Sequence, residues 1–169
     1  MNRIKIRIGK SKLDRGIEIL TFVLILISVI LIAVYYNQLP EKLPIYFNWP
    51  SKNENGFGEK DLLWISPIIC TAITIVFYKL NQYPWIFNYP IEINEKNAEY
   101  HYTIATRVFR TLAFVVGLMG LVLTLTSILY GLGYNTEYVN YLLPLFPVLL
   151  IGIPIFYVVK MLMHQRNSR

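Results

Sequence analysis

Four long stretches without a single Asp, Glu, Lys, Arg or His dominate this chain, and such stretches are stable in few surroundings. They cover about residues 19–38, 62–78, 111–132 and 138–159. A helix needs roughly 20 apolar residues to cross a hydrocarbon core about 30 Å thick. In that core only helices or closed barrels satisfy every backbone N–H and C=O. The 169 residues are 55% hydrophobic and only 15% charged, against about 25% charged in ordinary soluble domains. Too little polar surface remains to face water. The single cysteine, Cys70, excludes a disulfide framework. The chain therefore reads as an all-α integral membrane protein, one four-helix domain over residues 1–169 with four transmembrane helices.

The second run has 17 residues, about 26 Å of helix, so its flanking charges must snorkel or the bilayer must thin. Glu137 is the single charge between the third run and the fourth, and Gly131, Gly133 and Asn135 supply turn chemistry there. These two helices should form a tight antiparallel hairpin. Pro144, Pro147 and Pro154 should bend the last one. Ser66, Cys70 and Thr74 share a small-x-x-x-small spacing, as do Ala113 and Gly117, a pattern that suits close helix packing.

Lysines and arginines set the orientation, because they concentrate on the cytoplasmic side. The N-terminal arm holds six, the segment between the second and third runs four and the tail three, which places 13 on one side. The other side holds Lys42, Lys52 and Lys60 beside five acids, Glu137 included. Both termini should be cytoplasmic in a bacterial plasma membrane, with an ordered extracytoplasmic loop over 39–61. In the arm Ile4, Ile6 and Ile8 alternate with Lys5 and Arg7, and the arm reads as a basic segment lying on anionic lipid.

The outer loop is not ordinary filler. Pro40, Pro44 and Pro50 fix backbone angles and remove donors, so its first half should be extended. Ile45 and Phe47 alternate with Tyr46 and Asn48 as in one short strand, and Asn55-Gly56 signals a turn. Two readings stand side by side: a packed cap over the bundle end, and a recognition loop with aromatics on a rigid frame. In the second, Pro44, Phe47, Asn48, Gly58 and Lys60 form the frame, Gly56 and Phe57 belong to the turn, and Tyr46 and Trp49 face the ligand.

The motif Leu39-Pro40, Pro44, Phe47-Asn48 and Gly56-Phe57-Gly58 with Lys60, followed by Leu62, Leu63 and Pro67, resembles a bacterial membrane domain of unknown function. That domain is found at the N-terminus of SdpI-type immunity proteins and in small four-helix relatives. The similarity covers roughly residues 24–76, and Phe87-Asn88-Tyr89-Pro90 through Arg107 and Arg110 is similar to the relatives' inner segment. The family's histidine is Tyr46 here, and its Gly-x-Pro-Asp turn is replaced by residues 51–55. The resemblance implies immunity to a secreted toxin or membrane sequestration of a repressor.

Between the second and third runs, Asn94 is placed to cap a helix that carries Glu95 and Glu99 near its start. Nothing breaks the pattern onward, so one helix should run from about Asn94 to Leu132 and project about 20 Å into the cytoplasm. Arg107 and Arg110 then read as lipid-headgroup anchors, residues 94–110 as a candidate docking face for a cytoplasmic protein, and His101 as a solvated helix residue.

No span carries an ionisable acid or base, which argues against a proton-coupled transporter. His101 and His164 lack metal-ligand spacing, and no nucleophile elbow, P-loop or dinucleotide fingerprint occurs. The sequence thus points to no enzyme, no cofactor, no metal and no nucleic-acid partner. The expected partners are membrane lipid, with an extracytoplasmic peptide at the outer loop and a cytoplasmic protein at 94–110 as candidates. The functional expectation is an immunity- or sensor-like protein that recognises an extracytoplasmic peptide or lipid through the 39–61 loop. The alternative is an accessory or structural subunit of a larger membrane complex such as a transporter.

Overall fold

The computed structural model describes residues 3–45 and 56–167. Helix α1, Lys12–Tyr35, starts at a capping box: the Ser11 hydroxyl accepts from the Asp14 N–H at 3.1 Å, and the Asp14 carboxylate accepts from the Ser11 N–H at 2.9 Å. Asp14, Glu18, Thr21, Ile25, Ser28 and Ile32 then recur at helical spacing along one face, and all but the half-buried Glu18 are buried. Ile19, Phe22, Leu26 and Ile30 form an exposed apolar stripe elsewhere on the helix.

A one-turn 3-10 helix, Tyr36–Gln38, leads into strand β1, Lys42–Pro44, which pairs antiparallel with β2, Phe57–Glu59. The register sets Lys42 opposite Glu59, Leu43 opposite Gly58 and Pro44 opposite Phe57. Residues 46–55, including Tyr46, Phe47, Asn48 and Trp49, lie outside the described residues. A 3-10 segment, Lys60–Trp64, then enters helix α2, Ile65–Leu80.

Helix α3, Ala98–Gly131, is the hub. Its 34 residues extend about 51 Å, some 20 Å more than the hydrocarbon core requires. Helices α1 and α2 and the last helix all pack on it, and buried residues recur along it from Ala98 to Ile128. Small residues permit this. A Cβ on Gly117 would lie 3.4 Å from Thr21 of α1, and one on Gly120 would lie 2.5 Å from the Cys70 sulfur of α2. The Ser66 hydroxyl donates to the Gly120 carbonyl at 3.3 Å. The expected small-residue packing on α2 and α3 is therefore present, with Gly120 added to it.

The helix begins at Ala98 rather than Asn94. Asn94 and Asn97 explain the difference. The Asn94 side chain accepts from the N–H of Lys96 and of Asn97, the Asn97 side chain accepts from the Asn94 N–H at 2.8 Å, and its amide donates to the Glu92 carbonyl. These side-chain bonds hold a turn in place of helix. At the other end Gly133 adopts φ +86°, with Tyr134 N–H bonding the Leu129 carbonyl and Gly133 N–H that of Tyr130, a Schellman stop.

The fourth span divides. Pro144 has no N–H and disfavours helix at Leu143, so a single turn, α4 (Val139–Leu142), precedes α5, Leu145–Asn167, with Pro154 in its interior. Helix α5 is the outlier of the bundle, most of its residues being exposed or only half-buried. The N-terminal arm, expected on the lipid surface, docks on the bundle instead. Arg3 donates to the carbonyls of Phe87 and Trp85, and the Tyr102 hydroxyl donates to the Ile4 carbonyl at 3.0 Å. Tyr89, Tyr102, Ala105 and Met161 form the core beneath it. The bundle thus has a hairpin end and an arm end, joined by four helices long and apolar enough to cross a membrane.

Candidate functional site

At the hairpin end the site is built outward from α3. Leu43 is completely buried beside Ile32, Leu39, Leu63 and Ile128. It inserts where α3 has only a glycine: a Cβ on Gly131 would sit 2.7 Å from Leu43 and 2.8 Å from Leu39. The Ser127 hydroxyl donates to the Pro44 carbonyl at 2.7 Å, which satisfies a strand-end acceptor from the membrane helix. Phe57 packs edge-on against Tyr130, with ring centroids 5.5 Å apart. Gly56 is buried and accepts from the Ile45 N–H, extending the two-strand ladder.

Lys60 is fully engaged. Its ammonium meets Glu41 at 3.0 Å and lies 5.0 Å from the Tyr36 ring centre, while its N–H bonds the Glu41 carbonyl. Tyr36 in turn donates to Asp61. Pro44, Gly56, Phe57, Gly58 and Lys60 are therefore brought together as the hairpin base, whereas Tyr46, Phe47, Asn48 and Trp49 fall outside the described residues. The strand pairing of 42–44 with 57–59 has no local signature and was not foreseen, because a glycine pair reads as a turn until its partner is known.

Beneath this base a groove of about 300 Å³ runs between α2 and α3. Ile45 borders it from the hairpin, Leu62 from the 3-10 segment, Ser66 and Ile69 from α2, and Met119, Leu123 and Thr124 from α3. It is almost wholly apolar, and the buried Thr124 hydroxyl has no hydrogen-bond partner among the described residues.

The arm end holds charges that the sequence reading placed elsewhere. Arg110 is not a headgroup anchor. Only 2% exposed, it donates from Nε to Glu18 at 2.9 Å and lies 3.8 Å from Asp14. Arg107 donates from Nε to the same Asp14 oxygen, Oδ1, at 3.2 Å, and Lys10 reaches Glu18 at 2.6 Å. A buried arginine is stable only when paired and hydrogen-bonded, and α1 supplies both carboxylates. Burial opposes ionisation of Asp14, but hydrogen bonds from Ser11 and Arg107 and the charge of Arg110 outweigh it and hold the carboxyl below its ordinary 3.8. The pairing was legible as a polar stripe, Asp14, Glu18, Thr21 and Ser28 at helical spacing, but Asp14 and Glu18 precede the apolar run and so seemed to lie outside the fold.

His101 is buried rather than solvated, and neither ring nitrogen finds a hydrogen-bond partner among the described residues. Its ring centre lies 5.9 Å from that of His164, which stacks on Tyr100. Burial, and then His164, push its pKa below the ordinary value. Among the described residues no three His, Cys, Asp or Glu side chains are placed to hold a metal ion. Much of the face at 94–110 is covered by the chain itself, leaving Asn94, Glu95, Lys96 and Glu99 exposed.

Fold and site together define a multi-pass helical membrane-protein architecture with a braced hairpin at one end and a buried ion-pair cluster at the other. Compared with known proteins, the chain matches no family model, no curated protein and no solved structure.

Proposed function

We propose that this chain is an immunity- or sensor-like protein of a bacterial plasma membrane, whose hairpin end faces outward and recognises an extracytoplasmic peptide or lipid. The observation that carries this reading is the joining of hairpin and groove. The base of the hairpin is locked on α3 through Leu43, Gly131 and Ser127, and its Ile45 borders the apolar groove between α2 and α3. The segment between the two strands carries Tyr46, Phe47 and Trp49, whose large aromatic side chains suit contact with an amphiphilic ligand. An amphiphilic ligand would place its apolar part in the groove and its polar part at the hairpin. The likeness to SdpI-type domains accords with this, as does the 13-to-3 split of basic residues.

The test is survival of a deletion strain challenged with secreted antibacterial peptides. Loss of the gene should sensitise the strain to one of them. Wild type should restore resistance, whereas Tyr46→Ala with Trp49→Ala should not, at equal membrane abundance. Full restoration by that double variant would defeat the recognition reading.

The second reading, an accessory or structural subunit, draws on α5, whose Val148, Ile151, Ile155 and Phe156 are exposed. It predicts co-purification with one larger membrane complex in mild detergent, abolished by polar substitutions on that face.

A further inference from the structure

The charges on the first two turns of α1 are segregated by sign. Asp14 and Glu18 point at α3 and are consumed by Arg107, Arg110 and Lys10. Lys12 and Arg15 are exposed, and neither side chain has an ion-pair or hydrogen-bond partner among the described residues. Their position along the helix is informative. Lys12, Arg15, Ile19, Phe22, Leu26 and Ile30 are spaced by three or four residues, so they share one face. The last four are the exposed apolar stripe of α1, with Ile19 at 66% exposure and Ile30 at 50%. Such a stripe is stable against acyl chains. Arg15 sits one turn, about 6 Å, beyond its end, and Lys12 a further turn. Their long stems follow the apolar surface while the charged heads emerge at the depth of lipid phosphate.

We infer that Lys12 and Arg15 form a headgroup-binding pair for an anionic phospholipid in the leaflet at the arm end. Charge complementarity selects the ligand. Two adjacent cations are left without a counter-charge because both nearby carboxylates are turned inward, so a lipid with net negative charge binds better than a zwitterionic one. The arrangement also assigns different work to the two basic pairs: Arg107 and Arg110 close α3 onto α1, and Lys12 and Arg15 meet the membrane. This inference does not depend on the ligand at the hairpin end.

The test uses the full chain purified in a neutral detergent. Its thermal unfolding midpoint is followed while phosphatidylglycerol, phosphatidylcholine or inorganic phosphate is titrated in. The midpoint should rise with phosphatidylglycerol and respond to neither of the others. A cation at an anionic surface contributes about fivefold in affinity, so Lys12→Gln with Arg15→Gln should shift the titration by about 30-fold. The lipid-free midpoint should stay at the wild-type value, since both side chains are exposed. Lys12→Arg with Arg15→Lys should retain the response. An unchanged phosphatidylglycerol titration in the double glutamine variant would overturn the inference. So would an equal response to inorganic phosphate, which would mark a free-anion site, or loss of the response on Lys5→Gln with Arg7→Gln instead.

Discussion

Replacing Arg110 by Met removes the central cation of the arm-end cluster and leaves most of its apolar stem in place. In general, deleting one partner of a buried ion pair costs about 3–5 kcal/mol, because an uncompensated charge stays behind. Here both carboxylates keep a second cation: Glu18 has Lys10 at 2.6 Å, and Asp14 has Arg107 at 3.2 Å. The loss should therefore fall at the lower end, about 3 kcal/mol. Arg107→Met should cost less, about 1 kcal/mol, because its side chain is 29% exposed and solvent can take its place. Adding Glu18→Gln to Arg110→Met should recover about 1–2 kcal/mol, since the half-paired charge is then gone. Unfolding by a denaturing detergent in mixed micelles, followed by circular dichroism, measures all four free energies. If Arg110→Met lies within about 0.5 kcal/mol of wild type, or if Arg107→Met proves the more damaging, Arg110 is not the buried clamp described here.

Gly120→Ala should destabilise by about 1–3 kcal/mol, because the new methyl would lie 2.5 Å from the Cys70 sulfur. Cys70→Ala in the same chain should relieve most of that loss, and strictly additive effects in the same unfolding assay would contradict so close a helix approach. Stability should also depend on pH through Asp14. Its folded pKa lies below the unfolded 3.8, so its contribution is complete above about pH 5 and is lost as pH falls through the folded value. Wild type should therefore lose more stability than Asp14→Asn between about pH 5 and pH 2, and parallel curves would show that the carboxylate gains nothing from Ser11, Arg107 and Arg110.

How much of this was legible in the sequence depended on whether the cause was local. The absence of charge marked the spans, and the glycines after Leu129 marked the stop of α3, because both are properties of one short segment. The helix start was displaced to Ala98 by reciprocal Asn94 and Asn97 side-chain bonds, a local competition that a capping rule alone does not resolve. The arm was misplaced because its partners are far away in the chain: Ile4 is held by Tyr102 and Arg3 by Phe87. Arg110 was assigned to lipid for a related reason. A basic residue beside an apolar run is ordinarily interfacial, and only the facing of α1 against α3 reveals that Glu18 and Asp14 turn it inward. In the hairpin, Phe57 and Gly58, opposite Pro44 and Leu43, became a strand only through pairing.

The reading as a recognition protein stands on the hairpin end being extracytoplasmic, and accessibility labelling measures that directly. In a Cys70→Ser background, single cysteines are introduced at Asn53, beyond the hairpin base, and at Asn97, beside the start of α3. Intact cells are then treated with a membrane-impermeant maleimide, and lysed cells serve as the reference. The account predicts labelling of Asn53→Cys on intact cells and of Asn97→Cys only after lysis. Labelling of Asn97→Cys but not Asn53→Cys on intact cells would invert the topology and contradict the proposed recognition of an extracytoplasmic ligand.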